Sequence, residues 1–161
     1  MDERSRPIEE PGEPGEPGGP SDRESAYELL QRGTALMRRR HYAQAAVVLA
    51  RAARLEPGKG SILVALARAR FNAGQPAEAR EAFERLLEVD PSSPYGHYGL
   101  GMSLKRLRLL RPARTHLRLA VALDPHSPLY RGALARLGPD PDRPADVLPQ
   151  QPEQGGPEGP G

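Results

Sequence analysis

A repeat of 34 residues constrains the fold of this 161-residue chain more than any other feature. Pro57, Pro91 and Pro125 keep one phase with no insertion, and an acidic residue precedes each of them. The residues between the prolines repeat in kind as well, which is the sequence signature of stacked structural repeats. The matched positions in the three copies are Gly33, Ala67 and Gly101; Leu36, Arg70 and Leu104; Ala45, Ala79 and Ala113; and Leu49, Phe83 and Leu117.

Helix-start signals divide each copy into a pair of helices. Ser25 and Glu28 have the spacing of a capping box, and Ser93 and Ser127 each precede a proline, which suits the first turn of a helix. In the second copy we expect Ser61 to cap the first helix. The sequence therefore predicts helical hairpins over residues 26–58, 59–92 and 93–126, followed by a capping helix near residues 128–137.

Small residues recur where the two helices of each predicted hairpin cross. Gly33, Ala67 and Gly101 fall midway along the first helices, and an alanine falls early in each second helix. Side chains of this size let two helix backbones approach closely, so we predict tight antiparallel hairpins. Because a hairpin cannot bury its apolar face alone, three stacked copies meet the minimum for a continuous core.

The composition separates this repeat region from both ends of the chain. Residues 1–25 and 138–161 hold 12 of the 19 prolines and almost no large apolar side chains. Such segments bury too little surface to offset the entropy of ordering the chain. We therefore predict a disordered acidic tail over residues 1–24, one folded domain over 25–137, and a second disordered tail over 138–161.

The overall net charge of +2 conceals a strong segregation of charge. Residues 26–137 carry 19 Lys and Arg against 8 Asp and Glu, a net charge of +11, whereas the two ends carry −5 and −4. A basic body with acidic arms favours acidic partners, or its own arms, over basic ones.

Several function classes find no support in the sequence. There is no cysteine, hence no disulfide or thiolate site, and the four histidines lack metal-ligand spacing. No catalytic triad, phosphate loop or paired-carboxylate pattern is present, so we expect neither an enzyme nor a cofactor. The chain shows no signal-peptide pattern and no apolar run long enough to span a bilayer, which favours a cytoplasmic protein. Arg outnumbers Lys 21 to 2, a bias associated with GC-rich bacterial genomes.

The repeat resembles the tetratricopeptide repeat, a helix-turn-helix unit of 34 residues. The resemblance rests on Leu100-Gly101 with Leu104, on the small residue of each second helix and on the terminal proline, and it covers residues 26–127. The departures lie in the aromatic positions of the motif. Its Trp position holds Leu29, Leu63 and His97, and its Tyr position holds Leu36, Arg70 and Leu104. The resemblance implies an all-α, right-handed superhelical solenoid of antiparallel helix hairpins.

In this family the residues that face a ligand come from the first helix of each hairpin. The resemblance therefore implies a concave groove with an aromatic and methionine floor and basic neighbours. These side chains either anchor a partner or simply pad the superhelix. The implied groove residues are Tyr27, Leu30, Thr34, Met37 and Arg38; Val64, Arg68, Phe71 and Asn72; and Tyr95, Tyr98, Met102, Lys105 and Arg106.

One subtype of the family grips the C-terminal carboxylate of chaperones through Lys and Asn on the first helices. That clamp is absent here, which argues against a chaperone-tail receptor. The matching positions hold Leu30 and Thr34, Ala65 and Arg68, and Tyr95 and Gly99.

Two further interpretations stay open at this point. The arginine-rich stretch 105–118 either binds nucleic acid or an anionic membrane surface, or is a solvated face of the repeat. Arg32 and Arg70, at positions that are usually apolar, either contact an anion or pack their aliphatic stems with the guanidinium in water. The function that we predict is a non-catalytic adaptor for an acidic, partly apolar protein or peptide segment, with nucleic acid disfavoured as a partner.

Overall fold

The structure, a computed structural model, describes residues 24–142. All regular elements within this range are α-helices. They form three antiparallel hairpins and one shorter C-terminal helix, as the all-α prediction requires. The helices are α1 (Ala26–Arg38), α2 (Tyr42–Leu55), α3 (Gly60–Asn72), α4 (Pro76–Val89), α5 (Pro94–Arg106), α6 (Leu110–Leu123) and α7 (Pro128–Ala135).

The helix starts follow the sequence signals with one exception. Ser25 forms the complete capping box with Glu28, and Ser93 and Ser127 each accept a hydrogen bond from a first-turn amide of their helix. The expectation that Ser61 caps α3 is wrong. That helix begins at Gly60, one residue earlier, so Ser61 lies inside the first turn, and Lys59 at the N-cap makes no side-chain cap hydrogen bond.

The hairpins close through the small residues that the sequence singled out. A Cβ atom added to Gly33 would lie 2.5 Å from Cγ of Leu49, and one added to Gly101 would lie 2.8 Å from Cγ of Leu117. Both distances are shorter than any ordinary carbon contact, so each leucine occupies the space that the missing side chain leaves. Neighbouring hairpins then stack, with α3 packed against α1, α2, α4 and α5.

The turn between the two helices of each hairpin needs one residue with positive φ. Gly74 has φ of 76° in the second hairpin, and the residues 34 positions before and after it, Arg40 and Arg108, have φ of 61° and 64°. Glycine adopts this left-handed conformation without steric cost, whereas for other L-residues it costs roughly 1–2 kcal/mol. The stacked hairpins thus impose one turn geometry, even where the sequence supplies arginine.

The two ends of the described region both contact basic side chains of the solenoid. At the N-terminal end, Glu24 lies 2.7 Å from Arg32 and 3.7 Å from Arg51. At the C-terminal end, residues 138–142 fold back onto α6. Glu24 and these five residues belong to the segments that the sequence predicted to be disordered tails, and the rest of both predicted tails lies outside the described residues. Between residues 24 and 142, no helix is long and apolar enough to cross a membrane.

Candidate functional site: the groove along α1, α3 and α5

Three depressions lie side by side along the first helices of the hairpins, and we call them together the groove. Arg68 and Asn72 line both the first and the central depression, and Met102 lines both the central and the third, so the surface is continuous. The three volumes are about 350, 160 and 350 Å³. Eleven of the fourteen predicted residues line this surface: Thr34, Met37, Arg38, Arg68, Phe71, Asn72, Tyr95, Tyr98, Met102, Lys105 and Arg106.

The other three predicted residues do not line the depressions. Leu30 and Val64 are half-buried and pack against the hydrophobic core, whereas Tyr27 at the start of α1 is 68% exposed. The structure also adds residues that the sequence did not point to. Phe83 of α4 and Gly99 line the central depression because the glycine lets the ring reach the groove side of α5. The glycine beside Tyr98 was the available sequence signal.

A row of aromatic rings supports the central depression. Phe83 meets Tyr95 edge-on at a centroid distance of 6.1 Å, Tyr95 lies 5.9 Å from Tyr98, and Tyr98 lies 5.3 Å from Tyr130 of α7. The packing role expected of the tyrosines is thus present in the structure, and their use as anchors for a partner stays a prediction. The rings join α4, α5 and α7, and the half-buried Tyr95 and Tyr98 still present surface to the groove.

Positive charge stands at the middle and at both ends of the groove, with Arg38 on the first depression. Arg68 is exposed where the first and central depressions meet. Burial raises the pKa of the Tyr95 phenol, and the charge of Arg68 opposes that rise. Lys105 lines the third depression. The groove thus combines aromatic surface with cationic neighbours.

Arg106 has a structural role that the sequence did not reveal. Its guanidinium lies 3.7 Å from the centroid of the Phe71 ring and donates a 2.8 Å hydrogen bond to the Phe71 carbonyl. This carbonyl belongs to the last turn of α3, where helix carbonyls lack intrahelical partners and the helix dipole is negative. Arg106 therefore ties the end of α3 to α5, and Arg68 is the freer cation of the groove.

The two unusual arginines find partners within the chain. Arg32 pairs with Glu24, and Arg70 donates a 3.1 Å hydrogen bond to the carbonyl of Glu78 in the second helix of the same hairpin. The anion that Arg32 contacts is thus a carboxylate of its own chain.

The structure brings together two histidines that lie 19 residues apart in the sequence. Nδ1 of His97 in α5 lies 3.0 Å from Nδ1 of His116 in α6, and Nε2 of His97 lies 3.0 Å from the Pro91 carbonyl. Because a carbonyl oxygen only accepts, Nε2 of His97 carries a proton, and in the neutral pair His116 donates through Nδ1. This assignment follows from the partners of the rings.

The environment of the histidine pair disfavours the protonated form of His116. Burial lowers the pKa of His116, and His97 lowers it further, while Glu84 acts in the opposite direction. In the unfolded chain a histidine has its ordinary pKa of about 6.5, so the unfolded state takes up more protons as the pH falls through this value. Stability from the neutral pair is therefore fully present above about pH 7 and declines as the pH drops toward 5.

We expect the melting temperature of the protein to fall between pH 7.5 and 5.5, and His116→Gln to flatten this dependence. Thermal unfolding followed by circular dichroism at several pH values measures both slopes. His126→Gln is the matched control because His126 is exposed in the turn between α6 and α7. An equally steep pH dependence in His116→Gln and in the control would contradict the assignment to this pair.

Comparison with protein families identifies the repeat. The family model described as "Tetratricopeptide repeat" matches residues 36–102 and 74–137. Comparison of the sequence with curated proteins found no match.

Solved structures of tetratricopeptide repeat (TPR) domains share the fold at low sequence identity. The first TPR domain of Spaghetti (RPAP3), bound to the HSP90 peptide SRMEEVD, has a TM-score of 0.67 and 17% identity, covering 70% of this chain and 90% of that chain. The second TPR domain of human RPAP3, in complex with the HSP70 peptide SGPTIEEVD, has a TM-score of 0.68 and 16% identity, covering 71% of this chain and 96% of that chain. The Sgt2 TPR domain from Aspergillus fumigatus has a TM-score of 0.65 and 20% identity, covering 78% of this chain and 91% of that chain. These likenesses confirm the all-α solenoid of helix hairpins that the sequence predicted.

Proposed function

Because this chain belongs to the tetratricopeptide repeat family, with a family match that extends over residues 36–137, we propose that it is an adaptor that binds a protein segment in the groove. The segment is extended, carries carboxylates and places an aromatic or aliphatic side chain in the central depression. We propose no catalytic step and no cofactor. The cytoplasmic location and the bacterial origin inferred from composition stay predictions.

The observation that carries this proposal is the central depression itself. It sets the exposed cation of Arg68 beside half-buried Tyr95, Tyr98 and Met102. Tyrosine and methionine surfaces of this kind give large contact area, and a neighbouring charge selects the partner and orients it. Two of the similar structures are complexes with peptides that end in Glu-Glu-Val-Asp, which supports an acidic peptide as the partner class.

The partner is expected to differ from a chaperone C-terminus. Position by position, the sites of the carboxylate clamp carry Ala65 and Arg68 in α3 and Tyr95 and Gly99 in α5, and all four line the first or central depression. A single arginine flanked by apolar groups fits an internal acidic residue within an apolar segment better than a terminal carboxylate held by several polar groups.

Arg68→Glu is expected to weaken binding of the partner segment at least about tenfold, roughly 1.4 kcal/mol, because it places a like charge opposite the segment's carboxylates. The partner is captured from the host with the tagged protein and identified by mass spectrometry, and its segment is then titrated by calorimetry. Arg54→Glu is the matched control, with the same change in charge at an exposed position of α2 outside the groove. Equal affinity of both variants would overturn the groove as the binding site.

Binding of nucleic acid by the basic solenoid is the alternative function, and the same two variants test it. For binding driven by phosphate contacts, the logarithm of the binding constant falls linearly with the logarithm of the salt concentration. Such binding is expected to lose the same affinity in Arg68→Glu and in Arg54→Glu. Binding of the peptide segment depends on position instead, so the ratio between the two variants separates the classes.

A further inference from the structure

Three arginines form a basic face of α6 outside the groove, and a segment of the same chain lies against them. Arg111, Arg114 and Arg118 stand three and four residues apart, which places them on one face of the helix. Against this face lies the segment of residues 138–142, which we call the PDPD segment after its last four residues. None of the groove depressions is lined by these three arginines.

All three arginines contact the PDPD segment, and Arg114 and Arg118 share the Asp140 carboxylate. Arg118 lies 2.6 Å from a carboxylate oxygen of Asp140, and Arg111 lies 3.2 Å from one of Asp142. Arg114 donates to two backbone carbonyls, at 2.9 Å to Gly138 and at 3.1 Å to Pro139.

The donors of the arginines and the acceptors of the PDPD segment are complementary. Proline has no N–H, so a proline-rich stretch presents only acceptors from that residue's backbone, and guanidinium groups supply only donors. The carboxylates of Asp140 and Asp142, two residues apart in the segment, pair with Arg118 and Arg111, which lie two helical turns apart on α6. The Asp140 carboxylate is held in its charged form, since hydrogen bonds from the Asp142 amide and from Arg118 lower its pKa.

The contacts differ in strength along the segment. The side chains of Arg114 and Asp140 are only 12% and 15% exposed, whereas those of Arg111 and Asp142 are largely exposed. A cavity of about 450 Å³, whose lining includes Leu110 and Leu137, remains at the contact. Exposed ion pairs contribute little and are screened by salt, so the outer half of the contact opens readily.

The three arginines repel one another modestly in the absence of an anion. Like charges at i, i+3 and i, i+4 on a helix repel one another, and the PDPD segment supplies the compensating charge from the same chain. A segment tethered to the solenoid has a high effective concentration, so it competes with any external ligand of the same chemistry.

We propose that the arginine face of α6 is a second docking surface, for a proline-containing acidic protein segment with Asp-x-Asp spacing. The PDPD segment occupies this surface as a competitor within the chain. A partner segment of the same pattern displaces it, starting at the exposed Arg111–Asp142 end. The three arginines lie outside the groove, and the two surfaces share only Leu110 among their lining residues, so the two can hold different segments at once.

The experiment uses a fluorescein-labelled synthetic peptide with the sequence of residues 137–143 and fluorescence anisotropy with the full chain. The wild-type protein is expected to bind the peptide weakly. Asp140→Asn with Asp142→Asn removes both carboxylates of the internal competitor and is expected to tighten binding at least about fivefold. In that background, Arg114→Gln with Arg118→Gln should weaken binding at least about tenfold, and Arg39→Gln with Arg54→Gln, which removes the same charge elsewhere, should change it little.

The readouts separate this proposal from the groove. Arg68→Glu should leave binding of the labelled peptide unchanged. If Arg68→Glu abolishes it, the peptide sits in the groove and the α6 surface is refuted while the groove proposal survives. Arg118→Gln alone, at a half-exposed side chain, keeps the test decisive if the double arginine variant does not fold. No gain from the asparagine variant, or tighter binding of a single-stranded RNA of equal length than of the peptide, would also overturn the proposal.

Discussion

Ala113→Arg is expected to unfold the third hairpin while the first two remain helical. Ala113 in α6 is fully buried, and its carbonyl lies only 3.1 Å from where a Cβ atom of Gly101 would be. An arginine there either buries an unpaired charge or pushes α6 away from α5, and either outcome costs several kcal/mol, roughly 4 or more. Because the stability of a solenoid is close to a sum over neighbouring repeats, the loss stays local.

Circular dichroism, together with limited proteolysis, measures this loss of the third hairpin. Cleavage should begin within α5 and α6 and spare residues 26–89. Ala122→Arg is the matched control, since it makes the same substitution at an exposed position of the same helix. Unfolding of the control to the same extent, or intact α5 and α6 in the variant, would show that the small residue is not required for helix contact.

Gly99→Val is expected to destabilise the protein by about 3 kcal/mol or more. A Cβ atom at Gly99 would overlap the ring of Phe83, which is almost fully buried. Overpacking of a close-packed core costs typically 1–3 kcal/mol, and a branched side chain against a rigid ring belongs at the upper end. The same change pushes apart α4 and α5 beneath the central depression, so partner binding should fall with stability.

Gly132→Val separates this steric effect from helix propensity. It is also a helical glycine, but the nearest atom to its added Cβ is the flexible guanidinium of Arg136, at 3.3 Å. Valine is a better helix former than glycine, so the control should hold or slightly raise the melting temperature. Chemical denaturation of both variants gives the two free energies of unfolding, and equal values would refute the packing argument.

The hairpins and most of their starts were predictable from sequence, because these features depend on contacts within one repeat. The serine caps at Ser25, Ser93 and Ser127 and the close contact at Gly33 and Gly101 follow from spacing alone. The error at Ser61 has a local cause. Lys59 at the N-cap makes no side-chain cap hydrogen bond and Gly60 begins the helix, so no capping side chain marks the start of α3.

The groove was predictable as a surface but not in its detail. The family pattern placed eleven of the fourteen residues on the depressions, since first helices face the same side in every repeat. Leu30 and Val64 were misplaced relative to the depressions because a helical residue beside the groove can turn toward the core. The use of these residues in binding stays a proposal.

The sequence by itself determined the repeat length, the order of helices, the small residues at each crossing and the segregation of charge. Only the tertiary structure decided which charges are free. It joined Arg106 to the end of α3 and set Asp140 against Arg118. The reason is physical. Contacts within a hairpin are fixed by the period of the sequence, whereas contacts between hairpins, and between the chain end and α6, depend on how the repeats stack, which no single repeat encodes.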